Sequence, residues 1–110
     1  MEQFIVTGAT GHIGNVMVRK LCEQGQNVKV LALPNEDLSP LENLKVDIVF
    51  GDVTDRDFVF KFIEKDAVVM HLAGIIDIGT TPEELVRNVN VNGTKNIVDA
   101  CIENKAKKLL

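Results

Sequence analysis

The residues of this chain best suited to chemistry are three closely spaced glycines. Thr7-Gly8-Ala9-Thr10-Gly11-His12-Ile13-Gly14 follows directly on the apolar run Phe4-Ile5-Val6. That order predicts a strand that ends in a tight turn and opens a helix. Backbone N–H groups at a helix N-terminus, with the positive end of the helix dipole behind them, make a site for phosphate. Each glycine has its own task in such a turn. Gly8 swings the chain off the strand, Gly11 leaves no side chain between the backbone and a pyrophosphate, and Gly14 lets the new helix lie close against the sheet. The spacing G-x-x-G-x-x-G is one residue longer than the common dinucleotide fingerprint G-x-G-x-x-G.

Elements on either side must hold this turn. The pattern predicts a helix over 12–24, with Ile13, Val16, Met17 and Leu21 on its inward face and Gly25 ending it. A strand over 28–33 follows, completing a βαβ unit. Further apolar runs predict strands at 3–7, 46–50 and 67–72 and helices near 55–64 and 82–104, while Lys108-Leu109-Leu110 reads as the start of a fifth strand. The alternation argues for a parallel sheet with helices on both faces, and right-handed crossovers give the strand order 3-2-1-4 with strand 5 beginning beside strand 4. Two prolines in 34–41 predict a loop with one short turn, beside the adenosine end of a bound dinucleotide.

Composition narrows the partners. A chain of 110 residues with 45% apolar and 25% charged residues is one globular domain. The net charge of −4 argues against nucleic acid and against a basic membrane patch. No apolar stretch reaches the ~20 residues of a membrane span. Cys22 and Cys101 fall on apolar helix faces, as reduced thiols of a cytoplasmic protein would. His12 and His71 stand alone, without metal-ligand spacing.

Three more segments carry chemistry. Gly51-Asp52-Val53 ends the third strand. There the Asp52 carboxylate can accept from an adenine amino group and the Val53 N–H can donate to the ring. Asp52 or Thr54 can equally cap the helix that follows. His71-Leu72-Ala73-Gly74 ends the fourth strand, where small residues let the backbone approach a cofactor. The last helix starts with Thr81 as cap, Pro82 in the first helical position and Glu84 closing a capping box. Its middle, Asn88, Asn90, Asn92 and Gly93, is made of poor helix formers. Either the helix breaks near Gly93, or these residues are present for function.

Taken in order, TGATGHIG, GDV, HLAG and NVNGTKN resemble the extended branch of the short-chain dehydrogenase/reductase superfamily, the branch of epimerases, dehydratases and reductases. The surroundings of strand 2 are most similar to its flavonol-reductase-like subgroup. The resemblance implies a Rossmann-type doubly wound α/β fold that binds NAD or NADP. It assigns Gly8, Thr10, Gly11, His12, Ile13 and Gly14 to the phosphate turn, and Asp52 and Val53 to adenine. Leu72, Ala73 and Gly74 would approach the ribose and phosphates, and Asn90 would support the backbone at the end of strand 4. Cofactor choice falls to Ala32 and Leu33 at the end of strand 2, where an acid would mark NAD and an arginine NADP. Neither marker is there, and the balance tips slightly to NAD.

The family's Y-x-x-x-K pair is absent, for the chain has no tyrosine. The resemblance therefore implies that residues 1–110 are the incomplete dinucleotide-binding domain of a longer oxidoreductase or nucleotide-sugar epimerase/dehydratase, inactive alone, with the small-molecule substrate bound only by the full-length parent. A non-catalytic dinucleotide sensor on the same fold is the alternative. A bare edge beside strand 4 and an uncovered helix 82–104 predict self-association, as a homodimer.

Overall fold

A computed structural model of the chain describes residues 2–74 and 82–110. Five parallel strands form one sheet: β1 (Gln3–Thr7), β2 (Asn27–Ala32), β3 (Asp47–Phe50), β4 (Val68–His71) and β5 (Lys108–Leu109), in the order β3-β2-β1-β4-β5. Helices α1 (His12–Glu23), α2 (Arg56–Phe62), α3 (Glu83–Arg87) and α4 (Thr94–Glu103) connect them. The order reverses direction at β1, so the crossovers place helices on both faces, the doubly wound Rossmann arrangement.

Alternation along the central strands splits the core in two. Ile5, Leu31 and Val69 point to one face and pack with Val59 and Phe62 of α2 and Ile97 and Ala100 of α4. Val6, Val30 and Met70 point to the other and pack with Val18 and Leu21 of α1 and with Leu41. Leu41 closes a single 3-10 turn, Ser39–Leu41, the short turn anticipated in the loop after β2.

The inward face of α1 is not the one that its large apolar residues suggest. Gly14, Val18 and Leu21 are buried, whereas Ile13 is 66% and Val16 49% exposed, and Met17 is half-buried. Gly14 decides the rotation. A Cβ built there would lie 1.9 Å from the Gly8 carbonyl oxygen, so the helix backbone itself rests on the turn.

The last helical segment does not break. α3 passes into a π-helical stretch, Asn88–Gly93, and on into α4, with helical backbone angles at Asn88, Gly93 and Thr94. Its start differs from expectation. Pro82 is the residue before the helix, with ψ 131°, and the first helical residue is Glu83. Thr81 lies outside the described residues. At α2, neither Asp52 nor Thr54 is the cap: the Asp55 carboxylate accepts from the Phe58 N–H at 3.2 Å. The edge at β4 is covered in part, because Val68 and Val69 pair with Lys108 and Leu109, and the His71 N–H donates to the Leu110 carbonyl at 2.9 Å. Leu85, Val91 and Ile102 remain exposed along the α3–α4 segment.

Candidate functional site

A cleft of about 430 Å³ opens where the strand order reverses, at the C-terminal ends of β1, β2, β3 and β4. That is where ligands bind in open parallel sheets. Its floor is the glycine turn, with Thr7, Gly8, Thr10 and Gly11. One wall comes from Leu31, Leu33 and Glu36 after β2 and from Gly51, Asp52 and Val53 after β3; the other comes from Leu72, Ala73 and Gly74 after β4 and from Leu85 and Val89.

The glycines of the turn are required for different reasons. Gly8 sits at φ +74°, and a Cβ there would meet the Leu72 carbonyl at 2.6 Å and the Ala73 nitrogen at 2.7 Å. Gly14 is packed against Gly8 as described above. Gly11 is neither strained nor crowded. It is the N-cap of α1 at φ −73°, ψ 171°, a conformation open to any residue. The nearest atom to a Cβ there would be the Gly8 oxygen, at an ordinary 3.4 Å. The fold leaves room for a side chain at 11, and glycine there keeps this side of the cleft clear. No side chain caps the start of α1 and no acid stands in its first turn, an arrangement compatible with an anion at its N–H groups.

A hydroxyl–imidazole network locks β1 to β4. The Thr7 Oγ1 accepts from the Leu72 N–H at 3.1 Å and the Ala73 N–H at 3.0 Å. The Leu72 N–H is shared with the Thr7 carbonyl, also at 3.1 Å; with two N–H groups directed at it, the hydroxyl oxygen turns its own proton to His71 Nδ1 at 2.7 Å. His71 is therefore the neutral Nε2–H tautomer and donates to Thr94 Oγ1 at 3.0 Å. Burial lowers the His71 pKa below its ordinary 6.5, and protonation would also set an N–H against the spent Thr7 oxygen. The unfolded chain takes up this proton first. The stability that His71 contributes is thus complete above pH 6.5 and falls as pH drops below that value, until the folded form also protonates. In denaturant unfolding at pH 7.5 and at pH 5.5, the wild type is expected to lose more stability between the two than His71→Gln. An equal loss would mean that His71 is not held neutral.

The π-helical stretch serves the same cleft. A Cβ on Gly93 would strike the Val53 side chain at 2.7 Å, so the helix backbone packs directly on Val53. Buried Asn96 donates from Nδ2 to the Val53 carbonyl at 2.9 Å and accepts from Arg56 at 3.2 Å. The Asn90 side-chain oxygen faces Gly74, 3.2 Å from where a Cβ would stand. Gly93 and Asn96 thus hold the loop after β3, Asn90 stands beside Gly74, and Asn92 donates to the Asn88 side chain at 3.0 Å on the exposed side; widened turns of this kind recur at functional sites.

Of the residues expected from the sequence, the cleft brings together Gly8, Thr10, Gly11, Leu33, Asp52, Val53, Leu72, Ala73 and Gly74. Asp52 accepts from the Thr54 N–H at 2.9 Å and its hydroxyl at 2.8 Å, both through Oδ1. His12, Ile13 and Gly14 form the first turn of α1, directly after Gly11, and do not themselves line the cleft. Ala32 does not line the cleft: it is buried in the sheet, and alternation turns Leu31 and Leu33 to the cleft instead. Thr7 and Glu36 were not anticipated. A threonine at a strand end was the only signal for Thr7, and Glu36 was concealed by the turn at Pro34-Asn35. Among the described residues no cluster of His, Cys, Asp or Glu could hold a metal, and no helix is long and apolar enough to cross a membrane. Cys22 and Cys101 are both unbridged, and burial raises the Cys101 pKa.

The family model of the 3-beta hydroxysteroid dehydrogenase/isomerase family matches residues 5–110. This chain belongs to that family. The match agrees with the extended short-chain motifs read from the sequence. The rat 3 beta-hydroxysteroid dehydrogenase type 7 is 35% identical over 114 residues, covering 97% of this chain and 34% of the rat protein. Among solved structures, a UDP-glucose 4-epimerase superposes with a TM-score of 0.83 at 25% identity, over 98% of this chain and 34% of that one. A short-chain dehydrogenase/reductase superfamily protein from Agrobacterium tumefaciens, with bound NAD, gives a TM-score of 0.81 at 25% identity, over 98% and 31%. The chain spans about a third of the length of the curated relatives it matches.

Proposed function

We propose that this member of the 3-beta hydroxysteroid dehydrogenase/isomerase family is the dinucleotide-binding portion of a longer NAD(P)-dependent oxidoreductase. Gly11 carries the reading: its position is open, unstrained and on the cleft, and glycine there leaves the space beside the α1 N–H groups free for a phosphate. The relative from Agrobacterium tumefaciens that holds NAD shares this fold across 98% of the chain. The site residues then divide as the family motifs suggest. The first turn of α1 takes the pyrophosphate through its N–H groups, Asp52 and Val53 flank the adenine, and Leu72 to Gly74 border the nicotinamide half.

The bound nicotinamide would supply hydride transfer. This chain's residues bind and orient it, and the network through Thr7 and His71 keeps the β4 end at a fixed height beside it. With no tyrosine to donate or accept the substrate's proton, these residues bind the cofactor without turnover. The substrate of the full-length parent is a secondary alcohol or ketone of the kind the rat relative's name implies. Titration with NADH, followed by the fluorescence of the reduced nicotinamide, should show one saturable site, and no hydride transfer from NADH to a 3-ketosteroid. The absence of saturable binding would overturn the reading.

A further inference from the structure

Resting on the dinucleotide reading, a further residue and the identity of the cofactor follow from the loop after β2. The position where an acid usually selects NAD is held by buried Ala32 and by Leu33, neither of which can do so. Beyond them the chain turns back on itself. The Glu36 N–H donates to the Leu33 carbonyl at 3.1 Å, closing a turn over Pro34 and Asn35. The Glu36 side chain completes the loop from the other side, with Oε1 accepting from the Leu33 N–H at 3.1 Å. Its Oε2 accepts from the Thr10 hydroxyl at 2.6 Å, tying the loop to the glycine turn. The carboxylate thus stands at the end of β2, three residues late in sequence but lining the cleft.

Each carboxylate oxygen accepts more than one hydrogen bond, so both can still take a donor. A ribose 2′-hydroxyl is such a donor. A 2′-phosphate is the opposite, bringing close to two negative charges against a fixed carboxylate. Nothing in the cleft offsets that repulsion. Its charged lining residues are Glu36 and Asp52, and no Lys or Arg lines it among the described residues. Arg19, the cation that touches this loop, is turned to the Pro40 carbonyl and the Asn15 side chain. We propose that Glu36 selects NAD over NADP, by accepting from the adenosine ribose and repelling a 2′-phosphate.

The test is a pair of fluorescence titrations, with NADH and with NADPH, on the wild type and on Glu36→Gln. The neutral amide keeps a hydrogen-bonding partner for Thr10 and Leu33 but removes the charge. The wild type should bind NADH at least about tenfold more tightly than NADPH, and the variant should narrow that ratio by about tenfold, mainly through tighter NADPH binding. A second measurement needs no variant: 5′-AMP should displace NADH from the wild type better than adenosine 2′,5′-bisphosphate does. A wild type without preference, a wild type that favours NADPH, or a variant with the ratio unchanged would each overturn the role of Glu36 while leaving dinucleotide binding in place. Failure of the wild type to bind either nucleotide would overturn the dinucleotide reading, and this proposal with it.

Discussion

Gly11→Val is expected to abolish NADH binding by this chain while leaving its fold in place. The backbone at 11 is extended, at φ −73° and ψ 171°, so valine enters without strain. The Cβ meets the Gly8 oxygen at 3.4 Å and nothing closer. Exchanging a glycine N-cap for valine costs about 1 kcal/mol of helix stability, which a domain of this size withstands. Gly11 lines the cleft, so the added methyl groups stand at its floor, beside the N–H groups of α1. A pyrophosphate excluded from those N–H groups loses both its hydrogen bonds and the helix dipole, and affinity should fall by about a hundredfold or more. The chain has neither tryptophan nor tyrosine, so nicotinamide fluorescence is read against a dark background. Unchanged affinity in a folded variant would refute the phosphate cradle.

Gly14→Ala should do the reverse, damaging the fold itself. Alanine in place of glycine within a helix is ordinarily stabilising by up to about 1 kcal/mol. Here the sign inverts. The new methyl would stand 1.9 Å from the Gly8 carbonyl oxygen and 2.7 Å from its carbon. Both obstacles are backbone, so no rotamer change relieves them. Gly8 cannot retreat either, because the Leu72 carbonyl and the Ala73 nitrogen lie within 2.7 Å of where its own Cβ would be. Relief requires α1 to lift from the sheet, opening the packing of Val18 and Leu21 on Val6 and Val30. The expected loss is about 4 kcal/mol, a fall in Tm on the order of 15 °C for a domain of about 110 residues. A Tm equal to or above that of the wild type would show that the turn and α1 are less tightly coupled than this packing requires.

The contrast between these two glycines marks what could be read from the residues alone. Strand–turn–helix order and the right-handed crossover rule were enough for the sheet order β3-β2-β1-β4-β5. Asp52 and Leu72 to Gly74 could be placed at the cleft because strands end there by topology. The inward face of α1 was misjudged because apolar periodicity gives weight to Ile13 and Val16 and none to Gly14, yet backbone contact at Gly14 sets the rotation of the helix. Asp55 was passed over as a cap because two other candidates, Asp52 and Thr54, stood just before it; only the hydrogen bond to Phe58 separates them. Glu36 was invisible because linear spacing puts it past the end of β2, and the turn that returns it is a three-dimensional event. The asparagines near 88–93 conflict with helix propensity, and that conflict was legible. Its resolution, a π-helical turn that seats Gly93 on Val53 and leads into Asn96, was not, since it depends on a neighbour 40 residues away in sequence.

The most direct test of the central claim is a nitrogen-15 amide map of this chain titrated with NAD. Dinucleotide binding in this cleft requires that the perturbed amides cluster on His12, Ile13 and Gly14 at the start of α1, on Leu33 and Glu36 after β2, on Asp52 and Val53 after β3, and on Ala73 and Gly74 after β4, and that they titrate together. No perturbation at millimolar NAD, or perturbations gathered away from the glycine turn, would contradict it.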